Sequence, residues 1–120
     1  MSAFRILLTP QAQGDLAALA KDTGLAKRLK AARKTLGLLE LHGPRYPGLQ
    51  SHKYDSIEGA HGEDVWESYV EQRTPAAYRI FWHYGPGQRE ITILAITAHP
   101  ERVPVSFAAP KTAGGRLAQI

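Results

Sequence analysis

The N-terminal third of the chain has the hydrophobic pattern of one strand followed by two helices. Apolar residues at positions 4, 6 and 8 predict a strand over residues 4–8. Thr9 can cap a helix and Pro10 suits its first position, so we predict a first helix that ends near residue 21. A second amphipathic helix is predicted over residues 25–41, because its apolar residues are spaced alternately by four and three. These residues are Leu25, Leu29, Ala32, Leu36 and Leu39.

Beyond residue 50 the pattern changes to that of strands joined by short turns. Strands are predicted over residues 51–57, 65–73, 77–84 and 91–98, and Gly or Pro interrupts each connection. The strand over residues 91–98 is apolar on both faces, as expected for the centre of a sheet. Turns this short join neighbouring antiparallel strands, so a meander is predicted.

The predicted order of one strand, two helices and three or four strands is typical of an α+β domain. In its simplest form the two N-terminal helices pack on one face of a small antiparallel sheet, and the other face is free to bind a ligand. Residues 1–102 would form this domain. Residues 103–120 are rich in Ala, Gly, Pro and Lys, and we expect them to be poorly ordered.

Composition limits the classes of protein that fit this sequence. The chain has 120 residues, 43% of them hydrophobic, which is enough for one domain with its own core. It has no cysteine, which excludes disulfide scaffolds and thiolate metal sites. No apolar run reaches the roughly 20 residues that cross a bilayer, and the N-terminus lacks the pattern of a signal peptide. We therefore expect a cytoplasmic protein with no membrane partner.

Positive charge is concentrated in the N-terminal part of the chain. The net charge is +4, but residues 1–50 hold eight basic and three acidic residues, whereas residues 51–120 hold seven and eight. Most of the excess lies in the second predicted helix, off its apolar stripe. Such a surface attracts phosphate backbones or an acidic protein partner, although a merely solvated helix face fits the charges equally well.

Five segments of the chain match a known family in their order and spacing. They are FRILLTPQAQGDL (residues 4–16), KRLK (27–30), VWE (65–67), AYRIFW (77–82) and ITILAITAH (91–99). Over roughly residues 4–102 they resemble the RelE/ParE toxins of type II toxin–antitoxin systems. The VWE strand is most similar to the HigB-like branch of that family.

The resemblance implies a fold, partners and more than one function. Members of the family have two helices packed against a small antiparallel sheet, and they usually pair with an antitoxin that wraps the toxin. Many cleave messenger RNA in the ribosomal A site, whereas the ParE branch poisons DNA gyrase and some members have no demonstrated activity. A cognate antitoxin and mRNA on the ribosome are therefore the implied partners, and a homo-oligomer is left open.

RNA cleavage by the neighbouring 2′-hydroxyl needs a proton acceptor, a proton donor and positive groups around the charged phosphorane, but no metal. Arg79 matches the family's strand arginine, and its planar guanidinium can bind two phosphate oxygens. His99 ends the last strand, where the resemblance implies a catalytic histidine that could serve as acid or base. Each residue also has a purely structural interpretation, Arg79 as the partner of a glutamate and His99 as the end of a strand.

Further residues are candidates for acid–base chemistry or for binding RNA. His83 is expected on the same face as Arg79, although a strand-end histidine is more often plain polar surface. Glu67 could act as a general base or orient a histidine, or simply pair with a basic residue across the sheet. The candidates for RNA binding are Lys27, Lys30, Lys34, His52, Lys53, Arg73 and Arg102. No metal or cofactor site is expected, because the five histidines lack ligand spacing and no phosphate-binding glycine motif is present.

The strand that holds Glu67 departs from the family, since well-studied members carry lysines there. Stabilisation of the phosphorane would then fall on Arg79, with help from Lys53 or Arg73. Three functions fit the sequence: a ribosome-dependent mRNA endoribonuclease, a non-enzymatic gyrase inhibitor or inactive relative that binds an antitoxin, and a small basic nucleic-acid-binding domain with no toxin role.

Overall fold

The structure, a computed structural model, describes residues 2–59, 61–71, 76–98 and 118–119. The α+β prediction is confirmed, because two helices pack on one face of a mostly antiparallel sheet. Within the described ranges, no helix combines the length and apolar content that crossing a membrane requires. The boundary predicted at residue 102, and most of the tail predicted to be poorly ordered, lie outside the described residues, so both stay predictions.

The described elements follow the predicted order. In chain order they are β1 (Arg5–Leu8), α1 (Pro10–Lys21), α2 (Ala26–His42), β2 (His52–Glu58), β3 (Asp64–Tyr69), β4 (Arg79–Tyr84), β5 (Glu90–Thr97) and β6 (Ala118–Gln119). Most bounds agree with the prediction to one or two residues. The strand predicted over residues 65–73 is an exception and ends at Tyr69, because the N–H groups of Val70 and Glu71 both donate to the Tyr78 carbonyl.

Local chemistry fixes the helix ends. Thr9 caps α1 as predicted, since its hydroxyl accepts from the N–H of Ala12 at 3.2 Å. α2 ends at Gly43, whose φ is +83°, and a Cβ there would come within 3.0 Å of the Phe4 ring. The left-handed backbone and the close approach of Phe4 both favour glycine at this position.

The strands form one sheet in the order β2-β3-β4-β5-β1-β6. The strands β2 to β5 make the predicted antiparallel meander. β1 adds one parallel pair, Arg5–Leu8 against Glu90–Ile93, because the helices and the meander bring the chain back beside β1 in the same direction. β6 pairs antiparallel with Leu7 and Leu8 on the other edge of β1.

The main core lies between the helices and one face of the sheet. On β4 it takes Ile80 and Trp82, which confirms the predicted alternation of that strand. Its fully or nearly buried members are Ile6, Leu8, Ala12, Leu19, Ala32, Leu36, Leu39, Leu49, Ile80, Trp82, Ile91, Ile93 and Ile96.

The face opposite the helices is not free, and the expectation that it would be is wrong at its centre. Val65, Phe81, Leu94 and Ala95 are buried there, and Tyr54 from β2 packs edge-on against Phe81 with ring centroids 5.5 Å apart. A bulge leaves Leu94 without a partner on β4 and turns it to this face beside Ala95. Polar side chains are left at the two ends of β4.

Candidate active site

Arg79 begins β4 on the face opposite the helices, where β5 finishes. Its Nη1 donates to Oε1 of Glu67 at 3.0 Å, and its Nη2 donates to the Ala98 carbonyl at 3.1 Å. Its Nε is buried and has no acceptor among the residues that the structure describes. The guanidinium is therefore held on two sides, and the side chain remains 21% exposed.

Glu67 lies between two basic groups. Oε1 accepts from Arg79, and Oε2 lies 3.3 Å from Nε2 of His52. The side chain of Glu67 is only 3% exposed. A carboxylate this buried needs such partners, because an unpaired buried charge is strongly unfavourable.

His52 begins β2 directly opposite Glu67 in the register of the strands. Its Nδ1 donates to the Gln50 carbonyl at 2.9 Å, and Gln50 has the left-handed φ of +48° just before the strand. The carbonyl can only accept, so Nδ1 carries the hydrogen of this bond and Nε2 is the nitrogen that faces the carboxylate. The ring of Tyr69 packs beside it with centroids 5.8 Å apart.

Arg79, Glu67 and His52 thus form one polar group, which we call the Arg79 cluster. Arg79 contributes a positive charge and Glu67 a negative charge, and the imidazole of His52 lies beside the carboxylate. The Arg79 cluster combines a bidentate anion binder with a carboxylate and an imidazole that can exchange protons. In the described part of the chain, no three His, Asp or Glu side chains group in a way that could hold a metal ion.

Lys53 is set apart from the Arg79 cluster although it follows His52 in the chain. Alternation along β2 turns it to the opposite face, in register with Trp66. There its ammonium lies 3.3 Å from Asp64 and 3.6 Å from Asp55. His52 and Lys53 are therefore not brought to the same phosphate site.

His83 lies at the far end of β4, on the same face as Arg79 but separated from it by Phe81. Four residues of strand place it about 13 Å from Arg79. It is 1% exposed, and its Nδ1 donates to the Tyr84 carbonyl at 2.8 Å. His83 also acts on Glu63, which lies near it. Burial alone would raise the pKa of Glu63, but the backbone N–H groups of Glu63 and His61 and the charges of His83 and His61 lower this pKa on balance. Arg79 and His83 cannot act on one phosphate at this distance.

Three candidates, His99, Arg73 and Arg102, lie outside the described residues. His99 follows Ala98 directly in the sequence. The peptide bond that leads to His99 therefore starts at the carbonyl group that Arg79 binds. The role predicted for His99 stays a prediction.

The basic residues of α2 divide into two groups. Lys27, Lys30 and Lys34 are exposed, and their spacing of three and four puts them on one face of the helix. Arg28 instead points to the sheet, where its Nε lies 2.8 Å from Oε2 of Glu71 and its guanidinium lies 4.2 Å from the centre of the Tyr78 ring.

The contact between Arg28 and Glu71 ties α2 to the chain between β3 and β4. The hydrogen bond to Glu71 raises the pKa of Arg28. Partial burial would raise the pKa of Glu71, but hydrogen bonds from Arg28 and from the N–H of Tyr78 lower it on balance. Glu71 is thereby directed to α2 and does not add negative charge to the Arg79 cluster.

The sequence did not reveal the residues that hold β2 beside β3. The hydroxyl oxygens of Ser51 and Ser68 lie 2.6 Å apart, and Nε1 of Trp82 donates to Ser68 at 2.9 Å. Ser68 is fully buried, so these bonds fix the residue immediately before His52. A serine among apolar residues on the inner face of β3 is the only sequence signal of this arrangement.

Comparison with known proteins identifies the fold. No family model matches the chain, and no curated protein matches its sequence. The solved structure of the YoeB dimer from Staphylococcus aureus is similar, with a TM-score of 0.58 at 15% identity over 81% of this chain and 98% of the YoeB chain. The chain therefore shares the fold of the YoeB structure, which confirms the predicted arrangement of two helices on a mostly antiparallel sheet.

Proposed function

We propose that the chain is a toxin-like, metal-independent endoribonuclease that cleaves mRNA on the ribosome, with the Arg79 cluster at its active site. One observation carries the proposal: a guanidinium, a nearly buried carboxylate and an imidazole are linked by contacts of 3.0 and 3.3 Å on a RelE-type fold. These are the kinds of group that RNA cleavage by the 2′-hydroxyl requires.

Arg79 would bind the phosphate that is cleaved. The 2′-oxygen attacks the adjacent phosphorus, and negative charge builds up on the phosphorane oxygens before the bond to the 5′-oxygen breaks. A guanidinium can donate to two of these oxygens at once. The 21% exposure of the Arg79 side chain supports this role, because a phosphate has to reach the guanidinium from solvent.

Two proton transfers complete the reaction. Glu67 would accept the proton of the attacking 2′-hydroxyl, and His99 or protonated His52 would give a proton to the leaving 5′-oxygen. One proton is taken up and one is released, so the reaction is balanced without a metal. The RNA fragments then end in a 2′,3′-cyclic phosphate and a 5′-hydroxyl.

The ion pair between Arg79 and Glu67 would have to loosen when RNA binds. In the free protein Oε1 of Glu67 is occupied by Nη1 of Arg79. Moving this donor to a phosphate oxygen would free Oε1 to accept the 2′-hydroxyl proton. Substrate binding and activation of the base would then be the same step.

The surface of α2 and the fold itself suggest the partners. Lys27, Lys30 and Lys34 would contact ribosomal RNA, and each phosphate contact would make binding more sensitive to salt. Toxins of this fold pair with antitoxins, so a cognate antitoxin is the proposed inhibitor. The YoeB dimer makes a homodimer a further proposal for this chain.

Induced expression in cells tests the proposed function. Wild type should arrest growth and produce new mRNA ends in the A site of translating ribosomes, and an Arg79→Ala/His99→Ala double variant should do neither. Lys53→Ala is the matched control, because Lys53 neighbours His52 but lies on the other face of the sheet. Cleavage by the double variant at the wild-type rate would contradict the assignment.

A second candidate is a non-enzymatic binder, either a gyrase inhibitor or an inactive relative that binds only an antitoxin. The observation that favours it is the charge neutralisation of Arg79 by Glu67. Growth arrest with broken DNA and intact mRNA would indicate the gyrase inhibitor. Normal growth with verified soluble protein would indicate the inactive relative.

A further inference from the structure

β5 is longer than its parallel neighbour β1, so its last residues have no β1 partner on that edge. β1 ends at Leu8, which pairs with Ile93, whereas β5 continues to Thr97. Two side chains replace the missing strand. The hydroxyl of Thr9 donates to the Leu94 carbonyl at 3.0 Å.

The second replacement is Asp15 on α1. Its Oδ2 accepts from the backbone N–H of Ile96 at 2.8 Å, across 81 positions of sequence. Its Oδ1 accepts from Nε2 of Gln11 at 2.9 Å, one turn earlier on the same helix. The carboxylate of Asp15 therefore accepts the N–H of Ile96 in the way that a backbone carbonyl of a neighbouring strand would. Gln11 on the same helix helps to hold the carboxylate in this position.

The strand end that Asp15 holds is the one that binds Arg79. Thr97 pairs with Arg79 in the β4–β5 register, and the Ala98 carbonyl accepts from Nη2 of Arg79. Ile96 is anchored two residues before that carbonyl. Fraying of this end would remove one of the two described anchors of the guanidinium.

We propose that Asp15 is a positioning residue for the Arg79 cluster: it replaces the missing neighbour of β5 and thereby fixes the Ala98 carbonyl that orients Arg79. The kinetic consequence rests on the proposed nuclease function, whereas the effect on the geometry of Arg79 does not. The acceptor oxygen is the essential feature, so Asn can replace Asp15 and Ala cannot.

The test compares Asp15→Ala and Asp15→Asn with wild type by three measurements. These are amide hydrogen exchange at Ile96, the NMR signal of the Arg79 Nε–H, and the kinetics of RNA cleavage. In Asp15→Ala we expect about tenfold faster exchange at Ile96, a shifted Arg79 signal and a kcat about 10- to 100-fold lower, with KM much less affected. Asp15→Asn should resemble wild type in all three.

Leu36→Ala separates positioning from stability. Leu36 is buried in the main core on α2, so this variant loses global stability but keeps the bond between Asp15 and Ile96. At a temperature where all variants are folded, its kcat and Arg79 signal should match wild type. If Asp15→Ala does not fold, Asp15→Ser replaces it, because the serine hydroxyl is too short to reach Ile96.

Three results would overturn the proposal. They are an Asp15→Ala variant with an unchanged Arg79 signal, one with a kcat no lower than that of Leu36→Ala, and failure of Asp15→Asn to restore wild-type behaviour. If wild type cleaves no RNA, the proposed function fails and the NMR signals decide alone. A shift of the Arg79 signal in Asp15→Ala, absent from Asp15→Asn and Leu36→Ala, would then still support the positioning role.

Discussion

The two ends of β4 carry polar side chains on the same face, but they are built for different purposes. Arg79 at the first end keeps 21% of its side chain exposed and is held by Glu67 and the Ala98 carbonyl. His83 at the far end is 1% exposed and donates to the carbonyl of its own neighbour, Tyr84. One end can be reached by a ligand, and the other is sealed.

Neighbouring strands cause the difference. Arg79 pairs with Tyr69 and Thr97, the last residues of β3 and β5, so it faces the margin of the sheet. His83 pairs with Thr92 inside β5 and lies near Glu63, at the start of β3. Position relative to the ends of adjacent strands, more than residue type, therefore separates a candidate site from part of the core.

Glu67→Gln should have the strongest effect at the reachable end. Gln keeps the shape of the side chain but cannot accept a proton, so we expect cleavage to fall about 10²- to 10⁴-fold. Glu71→Gln is the matched control, because that carboxylate faces Arg28 on α2. Single-turnover rates on purified ribosomes measure the effect, and equal rates for Glu67→Gln and wild type would exclude Glu67 as the base.

His83→Ala should show the opposite behaviour at the sealed end. Loss of a buried, hydrogen-bonded ring is expected to lower the free energy of unfolding by about 1–3 kcal/mol, while the folded protein keeps its cleavage rate. Urea unfolding tests the predicted loss of stability, and the cleavage assay tests the predicted unchanged rate. A variant that is stable yet inactive would show that the sealed end takes part in the chemistry.

His52→Ala should have a moderate effect on cleavage. Nε2 of His52 lies 3.3 Å from Oε2 of Glu67, and we expect loss of this polar contact to the proposed base to lower the rate about tenfold. Lys53→Ala should leave the rate unchanged, since Lys53 lies on the other face. The contrast between the two variants, measured in the same assay, disappears if the Arg79 cluster is not the site.

Glu71→Gln should have the smallest effect, on stability alone. The folded-state pKa of Glu71 is lowered below its ordinary 4.5, so its contribution is complete above that value and is lost as the pH falls through the folded pKa. We expect a loss of about 1 kcal/mol at neutral pH that shrinks on acidification. Urea unfolding of wild type and Glu71→Gln between neutral and acidic pH measures this loss. A difference in the free energy of unfolding that grows as the pH falls would contradict the prediction.

The sequence predicted those features that depend on local pattern. Thr9 as a helix cap and the alternation of Ile80 and Trp82 followed from composition and period, and both agree with the structure. The order of elements was enough to predict the fold. The structural interpretation of Arg79 predicted a pairing with either Glu67 or Glu71, and the structure shows Glu67 as the partner.

Features that depend on distant parts of the chain were not predictable in this way. The bulge at Leu94 arises from the mismatch of β5 with β4, and the bond between Asp15 and Ile96 spans most of the domain. The opposite faces of His52 and Lys53 depend on the exact start of β2, which pattern alone does not define. Tertiary packing decides such positions, and one sequence carries no direct signal of it.

The rate of A-site mRNA cleavage by wild type and Arg79→Ala on programmed, purified ribosomes tests the proposed active site most directly. We predict fragments with a 2′,3′-cyclic phosphate and a 5′-hydroxyl from wild type, and a rate at least about 10²-fold lower for a folded Arg79→Ala variant. Cleavage by Arg79→Ala at the wild-type rate, or no cleavage by wild type, would contradict the proposal.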